Sequence, residues 1–140
     1  NGSVRQFFTG CDYIGIDLGH GRGVDIVCPG QDYKAPDNTF DTVISCECFE
    51  HNPDWAATFA NMYRMVKPSG LIVMSCATTG RAEHGTKRTS PADAPFCGDY
   101  YKNLTEQDFV EQFKLDDMFS AYEFGIGEAT KDLYFYGVKK

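Results

Sequence analysis

Short apolar runs, separated by glycine-rich and helical segments, constrain the fold of this 140-residue chain more than any other feature. Each run is rich in aliphatic side chains, as expected of strands buried within a parallel sheet. Strand–helix alternation of this kind predicts an α/β fold, here as a single domain over residues 1–140. The four runs lie at residues 13–18, 24–27, 40–48 and 71–76.

Residues 54–66 predict the main helix, because apolar side chains recur there at helical spacing. Asp54 is a plausible N-cap for this helix. Residues 67–70, Lys-Pro-Ser-Gly, are expected to end the helix and turn the chain into the strand at 71–76.

The C-terminal third predicts a loop, a helix and a hairpin. Residues 78–103 form a loop rich in Gly, Pro, Thr and charge, longer than compact domains usually tolerate without a functional reason. Thr105 and Asp108 have capping-box spacing, which predicts a helix through Phe113. The aromatic-rich runs 119–124 and 132–138 predict a closing antiparallel pair.

The glycine-rich segment at residues 19–23 is interpreted as a connector and not as a nucleotide-binding turn. A nucleotide-binding turn must open a helix, whose free N–H groups then face the ligand. Five residues separate Leu18 from the next apolar run, which leaves no room for a helix. Asp17 therefore ends a strand that is followed directly by another strand.

Three further motifs carry a family resemblance. They are Pro-Asp-Asn-Thr-Phe-Asp-Thr-Val-Ile at 36–44, Phe-Glu-His at 49–51, and Lys-Pro-Ser-Gly-Leu-Ile-Val at 67–73. In sequence and spacing they resemble class I S-adenosylmethionine-dependent methyltransferases of the small-molecule type. The resemblance implies a Rossmann-like sheet that is mostly parallel and ends in an antiparallel hairpin.

The resemblance also implies S-adenosylmethionine as cofactor and a set of residues that bind it. Asp17 matches the acid at the end of the family's second strand, which binds both ribose hydroxyls; the alternative is a solvated acid at a strand end. Gly2 and Ser3 match the end of the first glycine loop, and Gly30 can offer its N–H to the adenine ring. Glu47 is a further predicted cofactor contact.

The first strand of that family, with the first glycines after it, has no counterpart ahead of residue 1. That strand is central in the family's sheet, and its loss leaves two rows of backbone groups unpaired. We therefore expect a truncated fold with one of three arrangements. The second strand pairs with the fourth, a second copy completes the sheet as a homodimer, or the sequence is a fragment of a longer protein.

His51 is the candidate catalytic base, because it follows a strand end where open α/β sheets bind ligands. The alternative is that the Glu-His pair only orders the loop before the helix. His84, Tyr100 and Tyr101 lie in or beside the long loop and are candidate substrate-binding residues, or else ordinary packing residues.

Composition limits the remaining possibilities. The net charge of −7 argues against a nucleic-acid partner, and no apolar run is long enough for a membrane helix. No signal peptide is visible either, so we expect a cytoplasmic protein. The six cysteines are expected to be reduced, with those in the apolar runs buried. The spacing of Cys46, Cys48 and His51 suggests a metal, but no second ligand pair follows, so no metal is predicted.

Methyl transfer to a small-molecule or sugar-like acceptor is thus the leading hypothesis. The alternative is a non-catalytic, methyltransferase-like module that acts in binding or assembly. A nucleotide-binding oxidoreductase is a third class, which the Lys-Pro-Ser-Gly turn argues against.

Overall fold

The computed structural model describes residues 3–140 and arranges them around two sheets. A small sheet pairs two short parallel strands, and a larger sheet has four strands in the order β3-β4-β6-β5. The strands are β1 (Ile16–Asp17), β2 (Ile26–Val27), β3 (Phe40–Cys46), β4 (Val66–Ala77), β5 (Phe119–Gly127) and β6 (Asp132–Lys139).

The strands run in the predicted directions, parallel in the N-terminal part of the chain and antiparallel in the C-terminal part. The pairs β1–β2 and β3–β4 are parallel, whereas β6 runs antiparallel to both β4 and β5. Parallel N-terminal strands with an antiparallel C-terminal hairpin confirm the predicted α/β class. The two-residue lengths of β1 and β2 make these strands shorter than their apolar runs predicted.

The helices α1 (Trp55–Met65), α2 (Glu106–Gln112) and α3 (Leu115–Met118) contribute apolar side chains to one core. Alternate residues of β4 and β6 complete that core, among them Met74 and Phe135. Phe59 of α1 is fully buried at its centre. The opposite face of β6 exposes Tyr134 and Tyr136, so the described residues cover the four-stranded sheet on one side.

The N-terminal ends of α1 and α2 are capped in different ways. Asp54 precedes α1, but its side chain makes no capping hydrogen bond, so that part of the prediction is wrong. Asn52 instead accepts the Asp54 N–H through its side-chain oxygen at 2.8 Å. At α2, the carboxylate of Asp108 accepts the Thr105 N–H at 2.8 Å, as the predicted capping box requires.

Residues 67–70 turn the chain within β4 and not before it. The helix ends at Met65, and β4 begins at Val66. The register with β3 then shifts between Val66 and Leu71, and Ser69 has a φ of 62°. A side chain at Gly70 would lie 2.8 Å from the Asp41 carbonyl oxygen, so the close approach of the two strands requires glycine there.

The separation of the strands into two sheets excludes one of the three expected arrangements, the direct pairing of the second strand with the fourth. β1 pairs with β2 and not with β3, so the second strand of the family pattern does not close the gap toward the fourth. The reason is local: the Asp17 carbonyl accepts the Cys28 N–H, and the Gly15 carbonyl accepts N–H groups from Asp25 and Ile26. Within residues 3–140, β3 is consequently an edge strand.

All six cysteines are unpaired, but their predicted burial is largely wrong. Cys76 is buried, Cys28 is half-buried, and Cys46 and Cys48 are exposed. The two exposed thiols lie in and just beyond β3, whose outer edge no described strand covers. No helix within residues 3–140 is long and apolar enough to cross a membrane.

Candidate active site

Asp17 lies at the C-terminal end of β1, the position where parallel α/β sheets bind ligands. Its side chain is half-buried, and its Oδ1 accepts the Gly19 N–H at 3.1 Å. Within residues 3–140, Oδ2 has no comparable donor, so one carboxylate oxygen stays available for a hydroxyl. The aromatic ring of Phe96, from the long loop, packs directly on Gly19. Asp17 thus lies at a strand end, as the sequence predicts, and its ribose-binding role stays a prediction.

The other predicted cofactor residues are spread over neighbouring segments. Ser3 precedes a short helical turn at Val4–Phe7, accepts the Arg5 N–H at 3.2 Å, and packs against Gly23. Gly30 opens a turn after β2, and its carbonyl accepts a hydrogen bond from Asn61 of α1 at 2.8 Å. Gly2 lies outside the described residues.

Glu47 marks the point where β3 ends. Its φ of 49° is in the left-handed region, which is uncommon for a residue other than glycine and occurs often at functional sites. The Ser75 hydroxyl donates to its carboxylate at 2.7 Å, and its N–H donates to the Ser75 carbonyl at 2.9 Å. These contacts hold Glu47 at the exposed C-terminal edge of β3.

The segment Phe49–His51 then forms one helical turn in which all three residues are buried. Phe49 enters the aromatic core, with its ring 6.4 Å from that of Phe59. His51 is 6% exposed, and burial together with the nearby charge of His84 lowers the pKa of its imidazole. The packing of Phe49 in the core therefore fixes the positions of Glu50 and His51, which follow it in the same turn.

Three rings meet at this turn. The ring of His51 lies 4.9 Å from that of His84 and 5.4 Å from that of Tyr101, and the last two are 5.0 Å apart. The rings of all three pairs meet edge to face, at interplanar angles of 85°, 62° and 65° respectively. The structure thus brings together three of the predicted catalytic and substrate-binding residues. Tyr100 contributes its backbone to the surroundings of His51, while its ring is not part of the cluster.

The loop at residues 78–103 reaches the turn because it is tied down at several points. The Lys102 N–H donates to the Glu50 carbonyl at 2.9 Å, and the Arg81 guanidinium bonds to Asp132 at 2.7 Å. Gly85, at a φ of 68°, passes His51 so closely that a side chain there would lie 2.8 Å from its ring. This glycine is therefore required for the contact between loop and turn.

Glu50 is the residue of this site that sequence reasoning missed. It is fully buried, and neither carboxylate oxygen has a hydrogen-bond partner among residues 3–140. Burial, with a smaller contribution from Glu47, raises the pKa of Glu50 to about 7, although the nearby backbone N–H groups of Glu50 and Ala77 act to lower it. The Phe-Glu-His motif contained the signal, but the burial of its acid depends on the loop that folds over it.

Residues 3–74 match the family model described as "Methyltransferase domain", which is more than half of the chain. The chain belongs to this methyltransferase family. S-adenosylmethionine is the cofactor of such domains, which confirms both the predicted family and the predicted cofactor.

Named relatives agree with this assignment. Over 75 residues the domain is 33% identical to phosphoethanolamine N-methyltransferase 2 of Caenorhabditis elegans, a match that spans 53% of this chain and 16% of that protein. The corresponding Haemonchus contortus enzyme, solved with S-adenosyl-L-methionine, has a TM-score of 0.58 at 16% identity, covering 81% of this chain and 36% of that one.

A Burkholderia thailandensis 1,6-didemethyltoxoflavin-N1-methyltransferase, solved with 1,6-didemethyltoxoflavin and S-adenosylhomocysteine, has a TM-score of 0.60. Its identity is 15%, and the match covers 89% of this chain and 60% of that one. Structural likeness at such identities shows the shared fold. The methyltransferase domain described here therefore spans only part of the length of these relatives.

Proposed function

We propose that this domain transfers a methyl group from S-adenosylmethionine to a small-molecule or sugar-like acceptor. One observation carries the proposal: in a methyltransferase domain, Asp17 ends β1 and His51 follows β3, and each of these strands runs parallel to its neighbour. His84 and Tyr101 reach the His51 ring from the loop after β4. Ligands of open α/β sheets bind beyond such ends. The relatives act on small molecules by name, which supports the same substrate class here.

The cofactor supplies an activated methyl group on a sulfonium, so the protein's task is mainly to position the two reactants. Asp17 would hold the ribose through its available carboxylate oxygen. Glu47 would contribute a second acidic contact from the end of β3, with Ser3 and Gly30 on the neighbouring segments. A carboxylate suits a vicinal diol because its oxygens can accept from both hydroxyls.

The acceptor would bind beside His51, His84 and Tyr101. His51 would take the proton that the acceptor's oxygen or nitrogen releases as it is methylated. The buried ring nitrogen Nδ1, which has no partner among residues 3–140, supports this role. His84 and Tyr101 flank that ring and would shape the pocket. Tyr100 would act through its backbone.

Binding is the first test of this proposal. Calorimetry with S-adenosylmethionine should give a measurable affinity for the chain, and Asp17→Ala should abolish it while the melting temperature stays nearly constant. Asp12→Ala, a change of an exposed acid in the same segment, is the matched control and should bind as wild type does. Equal affinity in Asp17→Ala and wild type would refute the ribose-binding role.

Transfer is the second test. Label from methyl-labelled S-adenosylmethionine should pass to members of a panel of amines, phenols and sugars, and His51→Ala should lower kcat more than it changes cofactor affinity. The competing hypothesis of a non-catalytic module has no support from the relatives. It would gain support if the chain bound no cofactor and was an obligate homodimer by solution mass measurement.

Two further proposals concern the oligomeric state and the cellular location of the protein. A homodimer that completes the sheet would cover the edge of β3, which no described strand pairs with. A cytoplasmic location accords with six unpaired cysteines. A measurement of mass in solution tests the homodimer, and cell fractionation of the native protein tests the location.

A further inference from the structure

The turn at Phe49–His51 buries more unpartnered polar atoms than any other short segment within residues 3–140. Glu50 Oε1, Glu50 Oε2 and His51 Nδ1 all lack a hydrogen-bond partner. Glu50 is fully buried and His51 is 6% exposed. Buried polar groups are nearly always paired, and a buried charge is paired or coordinates a metal.

The surrounding side chains do not supply the missing cation. Arg81 is near enough to affect Glu50 but makes no hydrogen bond to it within residues 3–140; its Nη1 donates to the Asp132 carboxylate at 2.7 Å and to the Thr130 carbonyl at 2.6 Å. Glu47 adds further negative charge on the side of β3. The local field therefore favours a positive ion beside Glu50.

His84 adds a third ligand from the long loop. One potential ligand atom from each of Glu50, His51 and His84 lies within 4.8 Å of those of the other two. His84 Nδ1 lies 3.1 Å from the Ala82 carbonyl, which can only accept, so Nδ1 donates there and Nε2 of the neutral ring keeps its electron pair. Metal-binding histidines characteristically donate their second N–H to a carbonyl in this way.

We propose that Glu50, His51 and His84 bind one divalent transition-metal ion. Two imidazoles and a carboxylate suit Zn²⁺ and its neighbours in the first transition row, whereas Mg²⁺ and Ca²⁺ prefer sites made of oxygen. Bonds of about 2.0–2.2 Å require each ligand atom to move inward by less than about 1 Å. Three protein ligands leave a coordination position for water or a substrate atom.

This site goes beyond the proposed methyl transfer and is measured without cofactor or acceptor. A bound ion would occupy an electron pair of the His51 ring. His51 would therefore be a metal ligand in the metal-loaded protein and a candidate base in the metal-free protein. Failure to bind metal leaves methyl transfer untouched, and failure to transfer a methyl group leaves metal binding untouched.

The test is calorimetry with Zn²⁺ on chelator-treated protein kept reduced, followed by Co²⁺ absorption. Wild type should bind one equivalent. Glu50→Gln and His84→Ala should each weaken binding at least tenfold, with unchanged circular dichroism. His20→Ala changes an exposed histidine of the glycine connector and should bind as wild type does. Excess Mg²⁺ should not displace Zn²⁺.

Two results would overturn the proposal. One is the absence of a one-equivalent Zn²⁺ site in the folded wild-type protein. The other is a Co²⁺ spectrum with thiolate charge-transfer bands and unchanged affinity in His84→Ala, which would place the ion on the exposed cysteines instead.

Discussion

Replacing Glu50 by Gln should stabilise the metal-free protein at alkaline pH and leave its stability unchanged at acidic pH. Gln has nearly the same shape as a protonated Glu but cannot ionise. Because neither oxygen of Glu50 has a hydrogen-bond partner within residues 3–140, the substitution breaks no such bond of the side chain. The backbone carbonyl of Glu50 keeps its bond from the Lys102 N–H.

The magnitude follows from the pKa of Glu50. That pKa rises from 4.5 to about 7 on folding, because burial and Glu47 disfavour the charged form more than the backbone N–H groups of Glu50 and Ala77, together with Arg81, favour it. Between these two values the native state binds more protons than the unfolded chain, so the free energy of unfolding falls as pH rises. The difference corresponds to about 3 kcal/mol of lost stability above pH 7, at roughly 1.4 kcal/mol per pKa unit.

Urea denaturation in the presence of a chelator measures this effect. We expect Glu50→Gln to exceed wild type by about 3 kcal/mol at about pH 8 and to equal it at about pH 4. The titratable and charged groups near Glu50 are the same in both proteins: Glu47, Cys48, His51, Cys76, Arg81, His84 and Tyr101. A stability difference between the variant and wild type that stays constant with pH would refute the reasoning.

Two other predictions concern the scaffold. Phe59→Ala removes a fully buried ring and should cost about 3–5 kcal/mol in urea denaturation, whereas Phe7→Ala, at a ring 76% exposed, should stay within about 0.5 kcal/mol. Asp108→Asn should cost about 1 kcal/mol. Burial raises the pKa of Asp108, but hydrogen bonds from Lys102 and Thr105 outweigh it and hold the pKa below its ordinary value. The deficit of Asp108→Asn should therefore be present at neutral pH and vanish as pH falls through that lowered pKa, and a deficit that persists in acid would contradict this explanation.

Local sequence patterns predicted most of the secondary structure. The helical spacing of residues 54–66 and the capping box at Thr105 act through neighbours along the chain, so their helices appear within a residue or two of the expected bounds. The lengths of β1 and β2 could not be predicted as well. Their apolar runs fitted strands, but strand length depends on the partners that the fold supplies.

The sequence alone determined the family, the α/β class and the position of Asp17 at a strand end. These properties reside in contiguous motifs whose chemistry does not depend on distant contacts. Only the tertiary structure decided which sheet β1 joins, which cysteines are exposed, and that His84 and Tyr101 reach His51. It also decided that Glu50 is buried without a partner, because burial is set by a loop some thirty residues away that folds over the turn.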